Sequence, residues 1–143
     1  MNAIVGKSGC GKSTIINLLL GQNRIQKGQI LIGNKPLESL SRASYYSHVA
    51  TCSNNTYIFN ETVFDNFKLA KLNVTEEEIY SALKKVNLDT FIKNNGGINK
   101  TIFEDAENIS GGQKQRLALA INLIADKDIY IFDEATSHID IES

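Results

Sequence analysis

One octapeptide, Gly6-Lys7-Ser8-Gly9-Cys10-Gly11-Lys12-Ser13, stands between a short apolar run and an apolar-periodic stretch. It matches G-x-x-x-x-G-K-[ST] in full, which asks for a strand that turns through glycines into a helix. Backbone N–H groups in such a turn converge on phosphate oxygens, helped by the positive end of the helix that follows. The spacing then gives Lys12 to the β- and γ-phosphates of a nucleotide and Ser13 to Mg²⁺, with Thr14 adding a hydroxyl at the α-phosphate. Gly6, Lys7, Ser8, Gly9, Cys10, Gly11, Lys12, Ser13 and Thr14 are the expected nucleotide-binding residues. A Gly-rich turn with an exposed lysine is the plainer reading of the same residues. Cys10, beside a helix N-terminus and Lys12, is either a reactive thiol or simply a small residue that fits.

Two further stretches bear on that choice. Ile129-Tyr130-Ile131-Phe132 is an apolar run that ends in two carboxylates, Asp133 and Glu134. Asp133 is placed to hold Mg²⁺, directly or through water, and Glu134 to polarise an attacking water as general base. Paired acids after a strand also simply cap helices. Between the two sites, Ile109-Ser110-Gly111-Gly112-Gln113 opens a long helical pattern. A helix N-terminus there suits an anion such as a γ-phosphate, although a serine N-cap followed by glycines is a common way to begin any helix.

Composition narrows the classes. Lys and Arg number 15 against 16 Asp and Glu, for a net charge of −1, so nothing argues for nucleic acid as a partner. The two cysteines, Cys10 and Cys52, make no disulfide framework and point to a reducing setting. Met1 leads into an apolar run without a basic leader, and the longest apolar stretch, 117–125, is short for a bilayer span. Membrane involvement is therefore expected through a partner.

Periodicity predicts a strand at 2–5, a helix at 12–20 with Ile15, Ile16, Leu18, Leu19 and Leu20 mostly inward, and a strand at 28–33 closed by a turn at Asn34-Lys35-Pro36. A short helix at 37–44 and a strand at 45–51 follow. Helices are expected at 62–70, from Thr75 with a capping box and an Ile79, Ala82, Leu83, Val86 stripe, and at 110–125. The last of these turns Leu117, Ala120, Ile121 and Ile124 to a core. Asn94-Asn95-Gly96-Gly97 reads as a loop and 128–132 as a strand. The fold class is α/β, a P-loop core with a parallel sheet (1–61 and 126–143) and an inserted helical subdomain at roughly 62–125.

Taken together, these residues resemble the nucleotide-binding domain of an ABC transporter. Ile109-Ser110-Gly111-Gly112-Gln113 resembles the family signature turn, usually Leu-Ser-Gly-Gly-Gln. Ala135-Thr136-Ser137-His138-Ile139-Asp140 resembles the stretch that ends in the D-loop at Asp140. Residues 49–66 resemble the Q-loop region of exporters, and Thr101-Ile102-Phe103-Glu104 the exporter segment before the signature. The tail at 132–143 is similar to bacteriocin and peptide exporters.

The resemblance implies ATP and Mg²⁺ as cofactors, with Lys12 and Glu134 catalytic and Ser13 and Asp133 on the metal. Ser110, Gly111, Gly112 and Gln113 would act on the ATP held by a second ABC ATPase domain. A transmembrane exporter domain would be the other partner, placing the chain at the cytoplasmic face of the membrane. Where the family has its Q-loop glutamine this chain has Asn54, one methylene shorter. His138 replaces a small residue, and Ile121-Asn122 stand where exporters usually carry Arg-Ala. The family's N-terminal β-region and its switch histidine have no counterpart between Met1 and Ser143, so the chain reads as a domain truncated at both ends. A weakly binding fragment and a soluble, non-transport ABC ATPase are the alternative readings.

Overall fold

A hydroxyl residue stands immediately before each of three helices and fixes where it starts. The computed structural model describes residues 2–53, 57–103 and 108–133. Thr62 Oγ1 accepts from the Asp65 N–H at 3.0 Å and opens α3, Val63–Ala70. Thr75 and Glu78 form the expected capping box at the head of α4, Glu76–Lys85, with bonds of 3.3 and 3.0 Å. Ser110 and Gln113 form another at the head of α6, Gly111–Ile124, with bonds of 3.2 and 2.8 Å. Each cap satisfies first-turn N–H groups that have no acceptor inside the helix.

The chain divides into two units, Met1–Val49 and Ala50–Ser143. In the second, α6 packs against α3 and α4. Val63, Phe67, Ile79, Leu83 and Ala120 are fully buried there, and Leu117 nearly so. Burial of such side chains stabilises by about 1.5–3 kcal/mol each, which explains why their helical spacing was readable. Ile121 and Ile124 lie at the edge of this core, partly buried. A turn at Asn95-Gly96 lies within the loop expected at 94–97, between a short helix α5, Asp89–Asn94, and a 3-10 turn, Gly97–Asn99, neither of which was expected. No side chain caps α5, so its start carries no sequence signal. Two strands, β3 at Val49–Ser53 and β4 at Ile129–Asp133, are neighbours in the parallel sheet.

The first unit departs further from expectation. Residues 2–5 form no strand with any described residue, and Ile4 and Val5 are 52% and 92% exposed. An apolar run becomes a strand only with a ladder partner, which periodicity cannot supply. Helix α1, Lys12–Leu19, forms where predicted, but none of its residues is fully buried and Ile15 is exposed. The hairpin of β1, Leu31–Ile32, and β2, Lys35–Pro36, turns at Gly33-Asn34, both with positive φ (54° and 66°). That is the two-residue turn whose twist suits a hairpin, so the turn lies earlier than expected and Lys35-Pro36 is strand.

The strand expected at 45–51 begins only at Val49, because Ser41 caps a helix α2, Arg42–Ser47, by accepting from Ser44 N–H at 3.2 Å. The expected helix at 37–44 is accordingly a 3-10 turn, Leu37–Ser39, followed by α2. Two tyrosines of α2 serve the end of α1. Tyr45 Oη donates to the Leu19 carbonyl at 2.9 Å, and Tyr46 Oη to the Leu20 carbonyl at 2.6 Å. Carbonyls that the last turn of α1 leaves without N–H partners are met in this way.

Candidate functional site

The Gly-rich loop turns through left-handed glycines into α1. Gly9 and Gly11 take φ of 79° and 99°, left-handed conformations that an L side chain resists. A Cβ at either position would meet nothing within 4 Å, so the demand for glycine is conformational and the space beside the loop is open. Cys10 N–H donates to the Lys7 carbonyl at 3.2 Å and closes the turn. Gly11 is the N-cap of α1, with no side chain capping the helix among the described residues. The first helical bond there is Ile15 N–H to the Gly11 carbonyl at 3.1 Å. The N–H groups of Lys12, Ser13 and Thr14 precede it and are first-turn donors at the positive end of the helix.

Lys12 folds back over this loop. Its Nζ donates to the carbonyls of Gly6 at 2.9 Å and Lys7 at 3.1 Å. The ammonium is thereby held on the same side of the polypeptide as the glycine turn, rather than extended into solvent. The hydroxyl-bearing residues Ser13 and Thr14 are exposed. Cys10 is a free, exposed cysteine, and its Sγ lies where a Cβ on Gly6 would come within 2.6 Å. Uncapped donors, a tethered ammonium and accessible hydroxyls are the donor set a polyphosphate with Mg²⁺ requires. No cluster of three or more His, Cys, Asp or Glu able to hold a metal occurs among the described residues.

The signature turn and the acidic strand end belong to the second unit. Buried Ile109 anchors the turn, and Ser110 is exposed at its crest. The Gln113 backbone N–H donates to Ser110 Oγ, and its side-chain Oε1 accepts from Ser110 N–H. The Ser110 hydroxyl keeps its own proton to donate, and Gly111 and Gly112 lead the helix with their N–H groups. A Cβ at Gly111 would meet nothing within 4 Å, so this helix end is also approachable. Asp133 closes β4 and is partly buried. Asn54, Glu104, Glu134, His138 and Asp140 lie outside the described residues.

Two asparagines brace the second unit near the signature turn: Asn66, the last residue of the 49–66 resemblance, and Asn108, which no motif marked. Asn66, on α3, is only 3% exposed. Its Oδ1 accepts from Phe59 N–H at 2.9 Å, and its Nδ2 donates to the Phe59 and Thr62 carbonyls, both at 3.0 Å. Asn108 bonds to Thr101 and Phe103 immediately before the signature turn. Both side chains bond to backbone groups four to seven residues earlier, a reach that follows no helical or capping period.

Comparison with known proteins supplies the family. The profile of the family described as ABC transporter matches residues 1–137. An uncharacterized ABC transporter ATP-binding protein of Haemophilus influenzae is 46% identical over 143 residues, all of this chain and 26% of that protein. The mitochondrial iron-sulfur clusters transporter atm1 of Aspergillus fumigatus is 37% identical over 139 residues, 96% of this chain and 19% of its own length. Among solved structures, a bacterial Atm1-family ABC exporter with ATP bound matches with a TM-score of 0.86 at 30% identity, covering 94% of this chain and 24% of that one. The chain therefore spans a minor part of each relative's length. With the family profile running through both the Gly-rich loop and the signature turn, the chain belongs to the ABC transporter family as an ATP-binding domain.

Proposed function

We propose that this chain binds Mg·ATP and hydrolyses it to drive export through a transmembrane partner, working as a pair with a second ABC ATP-binding domain. The observation that carries this reading is the uncapped start of α1 with Lys12 Nζ held 2.9 Å from the Gly6 carbonyl, a polyphosphate-binding arrangement. Relatives whose names describe a lipid A-core flippase and a multidrug ABC transporter support the transport half of it. Peptide or bacteriocin cargo is the narrower form of the proposal and rests on the character of residues 132–143 alone.

The roles divide by chemistry. First-turn N–H groups of α1 and the Lys12 ammonium bind and orient the phosphates. Mg²⁺, when bound, neutralises charge on the phosphoryl oxygens. Ser13 and Asp133 are the residues to hold it, and Glu134 is the base that takes a proton from water. Asn54 would contact metal and water at the Q-loop position, and Asp140 would serve the D-loop. Ser110, Gly111, Gly112 and Gln113 present hydroxyl and N–H donors to the nucleotide of the paired domain. In this reading the domain attaches at the cytoplasmic face of the membrane through its transmembrane partner.

The test is ATP turnover by the purified chain at several protein concentrations, with Lys12→Ala and Glu134→Gln as controls. The expected result is a specific activity that rises with concentration, as pairing requires, and disappears in Glu134→Gln. Binding and turnover that survive Lys12→Ala unchanged would sink the reading.

A further inference from the structure

The stretch 100–103 is hydrogen-bonded on both of its edges. On one edge Val63 N–H donates to the Lys100 carbonyl at 3.0 Å, and Ile102 N–H donates to the Glu61 carbonyl at 2.9 Å. These flank an antiparallel bridge between Thr62 and Thr101. On the other edge the Asn108 side chain acts as a surrogate strand. Its Nδ2 donates to the Thr101 carbonyl at 2.8 Å, and its Oδ1 accepts from Phe103 N–H at 3.3 Å. Successive peptide groups of an extended chain face opposite ways, which is why residues 100 and 102 serve the turn while 101 and 103 serve Asn108.

Asn66 closes the far side of the turn. Its oxygen and both of its N–H donors are directed at residues 59–62. Buried and fully engaged, it fixes one conformation of the turn where an apolar side chain would only fill space. Phe59, 49% exposed and in edge contact with the Tyr57 ring at 4.9 Å, stands at the outer end. At the inner end Asn108 is followed directly by buried Ile109 and by Ser110, the cap of α6. Hydrogen bonds thus link Phe59 to Asn108, and Asn108 stands two residues before Ser110 in the chain.

We propose that Asn66 and Asn108 are positioning residues that join the 59–62 turn, the 100–103 strand and the signature turn into one rigid unit. A displacement at Phe59 then arrives at Ser110 instead of being absorbed by the intervening chain. The inference rests on the proposed function for its use, since Ser110 matters only if it meets a nucleotide. The coupling itself is a property of the chain and can be measured without ATP.

The experiment compares amide hydrogen exchange and ATP turnover in the full chain for the wild type, Asn66→Asp, Asn108→Asp and Asn108→Ala. Asn108→Asp keeps the acceptor for Phe103 but sets a carboxylate against the Thr101 carbonyl. Protection of the Ser110 and Gln113 amides is expected to fall about fivefold in each variant, the worth of one lost hydrogen bond. Protection at Thr75 and Glu78 should stay as it was. The decisive case is Asn66→Asp, which touches nothing at the signature turn: unchanged Ser110 and Gln113 protection there overturns the proposal. Should Asn66→Asp fail to fold, coupling is reciprocal, and Asn108→Ala read at the Phe59 and Glu61 amides decides in its place.

Turnover adds a second readout. The maximal rate should fall while the half-saturating ATP concentration, set by the Lys12 loop, stays unchanged. Loss of both together, or of neither, counts against the assignment. A wild type that binds no ATP and turns none over would overturn the proposed function, and exchange alone would then decide the coupling.

Discussion

The Lys12 ammonium lies 2.9 Å from the carbonyl oxygen of Gly6, so the loop holds its own cation before any ligand arrives. Replacement by alanine removes a charged donor to phosphate. Nucleotide affinity is expected to fall roughly tenfold to a hundredfold, as for loss of a charge-assisted hydrogen bond. Titration with a fluorescent ATP analogue checks this, and circular dichroism should show the helices intact.

Cys10 shares that loop, with its Sγ packed toward the Gly6 backbone. A maleimide attached there would stand where phosphates are expected to sit. Alkylation should abolish nucleotide binding, and Mg·ATP should slow the labelling. Equal labelling rates with and without Mg·ATP would remove Cys10 from the binding loop's working surface. Buried Cys52 should remain unlabelled in the folded chain and so serves as the internal control.

The capping box at α6 gives Ser110 a structural role beside the one proposed for it. Ser110→Ala should destabilise the second unit by about 1 kcal/mol through loss of the cap. Ser110→Asp keeps a capping acceptor but, under the proposed function, would set a negative charge against the paired domain's phosphates. Urea unfolding should show Ser110→Asp nearly as stable as the wild type, while ATP turnover is lost in it. That pair of measurements separates the two roles.

Glu78 accepts from Lys71 Nζ at 2.6 Å and from Thr75 N–H at 3.0 Å. The hydrogen bond from Lys71 first, and the one from the Thr75 backbone second, hold its carboxyl below the ordinary value near 4.5. A depressed folded-state value means the stabilisation is present above the unfolded value and disappears as pH falls through the folded one. Stability of the second unit should therefore decline below pH 4.5, and Glu78→Gln should flatten that part of the profile. Thermal unfolding at a series of pH values tests it, and an identical acid slope in Glu78→Gln would refute it.

What the sequence disclosed and what it concealed divide along a physical line. Helices α3, α4 and α6 were readable because Thr62, Thr75 and Ser110 act on residues three positions away, and because buried Ile79, Leu83 and Leu117 recur at helical spacing. The Gly-rich loop was readable because its chemistry depends on contiguous residues. Tyr45 and Tyr46 misled, since their affinity for strands yielded to a serine cap and to two carbonyls at the end of α1. The bonds of Asn66 and Asn108 stayed hidden because a side-chain amide that reaches backbone groups four to seven residues back follows no periodic or capping pattern.

Ile4, Val5 and Ile15, all exposed, border the loop that is to grip phosphate, and among the described residues the large side chains less than 2% exposed lie in the other unit. A region with few buried contacts opens on its own, well below the free energy that melts the whole. Nucleotide capture by this unit would then be partly an act of folding. Calorimetry should record it as a heat-capacity change larger than the nucleotide's own contact area explains. Affinity would weaken on any change that loosens the unit, even far from the phosphates.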